Sequence, residues 1–159
     1  MKTVVNRIKR NMTEFPTSVS RGTPVLEAYE VMKQMEVRHL PVLESDRVIG
    51  IVSDRDVKQG RLYAGSKITV GEVMTQNPYC VPLGTSLASV AKEMAIHKYD
   101  CAVILNRTGK VVGIFTTTDG MHILSDILAS NKGTDLKNWA IERLIEAGPW
   151  IESVSEVGI

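Results

Sequence analysis

GIVSDRD occupies Gly50 to Asp56, and GIFTTTD occupies Gly113 to Asp119. Both read Gly-Ile, an apolar residue, a hydroxyl residue, two further residues, then Asp. An apolar run ending in Ser or Thr, with Asp three residues on, is the signature of a strand that passes into a helix. Its repetition makes internal duplication the organising fact of the chain.

The repeat extends outward from these phrases. At a shift of 62, Met12-Thr13 meets Met74-Thr75, Pro16 meets Pro78, Val19 meets Val81, and Gly22-Thr23 meets Gly84-Thr85. Met32 meets Met94 and Val42-Leu43 meets Ile104-Leu105, after which the shift becomes 63 at Gly50 and Gly113. The slip falls between Asp46-Arg47 and Thr108-Gly109, where a turn absorbs one extra residue at little cost.

Each copy carries the same order of elements. Extended stretches cover Thr17 to Ser20 and Tyr79 to Pro82. Thr23-Pro24 and Thr85-Ser86 then read as helix starts, with Thr23 as cap and Pro24 in the first turn. Val25, Ala28, Met32 and Met35 recur at helical spacing, as do Leu87, Val90, Ala91 and Met94. The apolar runs Leu40 to Leu43 and Val48 to Val52 flank Ser45-Asp46, and Ala102 to Leu105 and Val111 to Phe115 flank Arg107 to Gly109, so each copy predicts a hairpin. A second helix begins near Asp54 and near Thr118. The expected fold is α/β (α+β): two β-α-β-β-α motifs, residues 8–66 and 67–131, packed with approximate two-fold symmetry. A tail, 132–159, follows, with a helix expected over Asp135 to Ala147 and stopped by Gly148-Pro149.

The bounds agree with one ordinary domain. The chain has 159 residues, 43% apolar and 23% charged, enough to bury a core without metals or disulfides. A net charge of +1 gives no field for nucleic acid or membrane. Cys80 and Cys101 are not in a Cys-x-x-Cys pair and suit a reducing compartment. With no apolar run long enough for a signal peptide or a membrane span, a cytoplasmic location is expected. His39, His97 and His122 lack metal-ligand spacing, and neither a Walker loop nor a Gly-x-Ser-x-Gly motif occurs.

Met-Thr-x-x-Pro, the Gly-Thr helix start, the RHLPV strand at Arg38 to Val42 and the closing Gly-Ile-x-Ser/Thr-x-x-Asp stand in the same order twice. Over residues 8–130 the chain resembles a tandem pair of cystathionine-β-synthase (CBS) domains, a Bateman module. The resemblance implies a regulatory, non-enzymatic module that binds an adenosine-containing ligand (AMP, ADP, ATP or S-adenosylmethionine), pairs into dimers and signals to a partner protein. A ligand-free dimerisation or scaffold module is the alternative.

Chemistry assigns candidates within that frame. Ser53 and Thr116 are delivered to helix N-termini, where free N–H groups and the helix dipole favour phosphate. Asp56 and Asp119, three residues on, can accept hydrogen bonds from vicinal ribose hydroxyls, the role that the resemblance also gives them. The same spacing is equally a plain capping arrangement, and that reading stays open. The extended stretches offer Ser18 and Cys80 beside an adenine. Arg38, His39 and Arg55, with Lys58 near them, offer positive charge, where copy two has Asp100, Cys101 and Thr118. One dominant phosphate site is therefore expected, using copy-one cations. Beyond that regulatory nucleotide no cofactor or metal is expected, and the methionines read as core or interface filler.

Overall fold

The computed structural model describes residues 7–64 and 68–130. A 3-10 turn, Ile8–Arg10, opens this part of the chain, and strand β1 (Thr13–Glu14) follows. Copy one continues with β2 (Val19–Ser20), helix α1 (Val25–Gln34), β3 (His39–Glu44), β4 (Arg47–Ser53) and α2 (Asp54–Ala64). Copy two repeats the series: a short helix α3 (Val70–Val73), β5 (Thr75–Gln76), β6 (Cys80–Pro82), α4 (Leu87–His97), β7 (Cys101–Leu105), β8 (Val111–Thr116) and α5 (Thr117–Ser130). The expected β-α-β-β-α order is present twice. A compact unit runs from Met1 to Gly120, and a second begins at Met121. The helix expected over Asp135 to Ala147 lies outside the described residues.

The helices form where their apolar stripes can be buried. Val25, Ala28 and Met32 are buried along α1, as Val90 and Met94 are along α4. Ser86 caps α4, its hydroxyl accepting from the Ser89 N–H at 3.4 Å. At α1 the cap sits one residue later than the sequence indicates. Pro24 is the cap residue, with an extended ψ of 140°. The Val25 N–H, just after it, bonds the Ile68 carbonyl at 2.9 Å. Thr23 instead closes the preceding turn, its Oγ1 accepting from the Ser20 N–H at 3.1 Å. Met35 ends outside the core: α1 stops at Gln34, and Glu36 turns the chain at φ 53°.

The one-residue slip is a difference in turns. In copy one, Ser45 and Asp46 both have positive φ (48° and 66°), the two-residue hairpin that matches strand twist. In copy two the loop is longer. Asn106 Oδ1 gathers it by accepting from the N–H groups of Thr108 (2.9 Å) and Lys110 (3.0 Å).

The sheets do not follow the sequence copies. Their strand orders are β1-β8-β7-β6 and β2-β3-β4-β5. The Met-Thr strand of copy one pairs with β8 of copy two, Thr13 opposite Ile114 and Glu14 opposite Gly113. That of copy two pairs with β4 of copy one, Gly50 opposite Gln76. The turns before these strands cross in the same sense: the Ile8 N–H bonds Thr85 O (3.1 Å), and the Val70 N–H bonds Thr23 O (2.8 Å). Ile8 and Val70 are both fully buried. Each copy thus completes the other, and the exchange explains the glycine of the repeated phrase. A Cβ on Gly113 would run into the Met12 side chain, and one on Gly50 into Met74. Glycine leaves room where the exchanged methionine crosses the strand.

Candidate functional site

The repeated phrase builds the same device at both strand–helix junctions. In copy one, Asp56 Oδ2 accepts from the Ser53 N–H (2.8 Å) and hydroxyl (2.6 Å), while the Asp56 N–H donates to Ser53 Oγ (3.2 Å). In copy two, Asp119 Oδ2 accepts from the Thr116 N–H (2.7 Å) and hydroxyl (2.8 Å), and its own N–H reaches Thr116 Oγ1 (3.3 Å). These are reciprocal capping boxes with Asp in the acidic place. The capping reading of the motif is therefore realised in both copies. It leaves room for a ligand role, because in each box the bonds converge on one carboxylate oxygen.

The two boxes face different surroundings. A cleft of about 450 Å³ opens at the copy-two box. One wall is the β8–α5 junction, with Thr116, Thr118 and Asp119. The second is the exchanged segment Thr13 to Thr17, and the third is Met35 to His39. Asp56 does not line this cleft. The residue pairing His39 opposite Ser53, and Cys101 opposite Thr116, sets each strand start beside the other strand's closing hydroxyl. Arg38 O accepts from the Asp54 N–H at 2.9 Å, and Asp100 O from the Thr117 N–H at 3.0 Å, so these two residues hold matching places at the two helix starts.

Arg38 leaves its own copy. Its Nη2 donates to Thr118 Oγ1 at 2.7 Å, which puts a guanidinium at the N-terminus of α5. A smaller cleft of about 190 Å³ adjoins it, lined by Arg38, His39, Ser53, Asp54, Arg55 and Asp100, with Thr117. The charges that the sequence separates by copy therefore meet: Arg38 and Arg55 share this cleft with Asp100. His39 lines both clefts, but burial holds its imidazole below the usual value against the pull of Asp100. At neutral pH it is a neutral hydrogen-bonding group, not the cation expected from sequence. Lys58 pairs with Asp54 at 2.7 Å and lines neither cleft.

Ser18 and Cys80 also lie outside both clefts; Thr17, one residue earlier, lines the large one. Ser18 is exposed at the foot of β2. Burial pushes the Cys80 thiol up and Cys101 to about 12, so neither carries a thiolate at neutral pH. Among the described residues no group of three His, Cys, Asp or Glu is arranged to hold a metal, and no helix is long and apolar enough to cross a membrane.

Three positions that line the large cleft carry rings in the other copy. Thr17, Met35 and Val37 line it, and their counterparts at a shift of 62 are Tyr79, His97 and Tyr99. Tyr79 and Tyr99 stack with ring centres 5.1 Å apart, and His97 stacks on Tyr99 at 5.3 Å. The sequence reading missed Phe15, Met35 and this aromatic stack. The substitutions are visible in the aligned copies, but only the parallel pairing of β6 with β7 brings Tyr79 and Tyr99 together.

The chain belongs to the CBS domain family: the family model matches residues 5–62 and again 70–126, making a tandem CBS pair. It is 29% identical over 119 residues to inosine-5'-monophosphate dehydrogenase of Nitrosopumilus maritimus, covering 72% of this chain and 24% of that protein. The chain thus spans about a quarter of that relative. An uncharacterized conserved protein from Pyrococcus horikoshii is 30% identical with a TM-score of 0.66, covering 81% of this chain and 95% of that one. The structure of CBSX2 in complex with AMP is 25% identical with a TM-score of 0.66, covering 77% and 98%.

Proposed function

We propose that this CBS pair is a regulatory module holding one adenosine-containing ligand per chain, in the cleft of Thr116, Asp119 and Arg38. The observation that carries the reading is that cleft itself. It joins a helix N-terminus, a carboxylate box, a guanidinium and apolar side chains in one open volume, while the matching positions of the other copy are occupied by stacked rings. Asp119 serves the ribose, Thr116 and Thr118 with the α5 N-terminus serve the first phosphate, and Arg38 and Arg55 serve any further phosphates. The AMP complex of a 25% identical CBS pair supports the ligand class. The ligand acts as a signal and not as a reaction cofactor: by favouring one arrangement of the two copies it changes the surface shown to a separate protein. Two free cysteines fit a reducing cytoplasm.

Small molecules released from freshly purified protein should include an adenosine compound, identified by mass spectrometry. Protein that carries none and gives no binding heat with AMP, ADP, ATP or S-adenosylmethionine would instead be a scaffold, its boxes serving only as caps. Self-association is part of the proposal. Met121, Leu124 and Leu128 are exposed on α5 at spacings of three and four, an apolar stripe suited to a second copy. Light scattering should give a dimer mass at micromolar concentration; a monomer mass would remove this claim.

A further inference from the structure

Phe15 lies on the wall of the large cleft, 78% exposed, with its backbone at φ 47°. Each fact is unfavourable by itself. An exposed ring adds nothing to the core, and a bulky residue in the left-handed region is strained. The pairing of β1 with β8 imposes the conformation: the Phe15 N–H bonds Val112 O at 3.1 Å, one step past Glu14 opposite Gly113. The same fold shows the unstrained solution. At the counterpart position Asn77 has φ 51° and bonds Ile49 O at 3.3 Å, and Asn is a residue that tolerates this conformation. Phe15 therefore stands where stability favours Asn, and it lines the open cleft at the copy-two box.

A second exposed apolar side chain lines the same cleft. Met35 is 54% exposed just past the end of α1, where His97 stands in the other copy. A ring and a thioether on one cleft suit a flat aromatic ligand, because bases stack on aromatic faces and sulfur packs well against rings.

We propose that Phe15 stacks on the base of the bound nucleotide, with Met35 as its apolar companion, so that this pair makes the cleft select a nucleotide over a bare sugar phosphate. The inference rests on the nucleotide reading above and adds the element that recognises the base. In the other copy the residues at these two places are Asn77 and His97, and His97 is already stacked on Tyr99.

Phe15→Asn tests it with little risk to the fold, since the substitution copies the counterpart. Calorimetric titrations with AMP, and competition by ribose 5-phosphate, would compare the parent, Phe15→Asn and Asp119→Ala. Phe15→Asn should weaken AMP roughly 5- to 150-fold, the range for losing one base–aromatic stack, and leave ribose 5-phosphate unchanged. Its melting temperature should equal or exceed the parent's, as left-handed strain is relieved. Asp119→Ala should weaken both ligands. If Phe15→Asn binds AMP like the parent while Asp119→Ala does not, the base-stacking inference fails and the nucleotide reading stands. Equal losses for AMP and ribose 5-phosphate would also overturn it, since Phe15 would only be shaping the cleft. A parent protein that takes no AMP would bring down both.

Discussion

Asp119→Ala should weaken AMP binding by about 10- to 150-fold, equivalent to the roughly 1.5–3 kcal/mol of hydrogen bonds to a charged group, while Asp56→Ala should change it less than about twofold. The two aspartates are close to identical as structural parts. Each closes a capping box through one carboxylate oxygen, with bonds of 2.6–2.8 Å from a hydroxyl and a backbone N–H. Each alanine should therefore cost stability by a similar amount, about 1 kcal/mol for a lost cap. Their surroundings differ: Asp119 lines the open cleft and Asp56 does not. Matched stability losses with unmatched binding losses would separate recognition from capping. Calorimetry beside thermal melts gives both readings. If the two variants lose affinity equally, or neither loses it, the cleft assignment is wrong.

Arg38→Ala should discriminate by phosphate count. The guanidinium bonds Thr118 Oγ1 at 2.7 Å and lines the smaller cleft with Arg55, beyond the helix N-terminus that would receive the first phosphate. ADP and ATP should weaken about 5- to 30-fold, near 1–2 kcal/mol, because the arginine is exposed and its charge-assisted bonds are partly screened. Adenosine should change less than about twofold. The loss for ATP should shrink in high salt. Asp100 lies in the same small cleft and repels the outer phosphates, so the gain from each added phosphate should be modest in the parent as well. An Arg38→Ala protein that loses adenosine and ATP affinity equally would show the residue acting through the cleft wall and not through phosphate.

The duplicated pattern made most of the fold legible. The strands around Leu40, Val52, Ala102 and Phe115 are read directly from short apolar runs, and the turn slip from one extra residue. The partners of the Met-Thr segments were not legible. Two-residue strands such as Thr13–Glu14 carry almost no periodicity, and nothing local says that they join the opposite copy's sheet. That exchange also decides the site. Arg38 pairs by sequence with Arg55 and His39, yet it bonds Thr118 of the other copy. His39 reads as a cation until burial is known. Met35 reads as core by spacing, but the helix ends one residue before it. Phe15 gave no sequence signal of its own. Its alignment with Asn77 becomes informative only once the left-handed backbone at both positions is seen.

The number of nucleotides that one chain holds separates a single open cleft from two working boxes. Two matching boxes would give two sites; the open cleft at Asp119, with stacked rings at the matching positions of the other copy, favours one. The decisive measurement is a calorimetric titration of nucleotide-free protein with AMP, read for stoichiometry. One AMP per chain, lost in Asp119→Ala and kept in Asp56→Ala, is the expected result. Two equivalent sites per chain, or a single site that depends on Asp56, would contradict it.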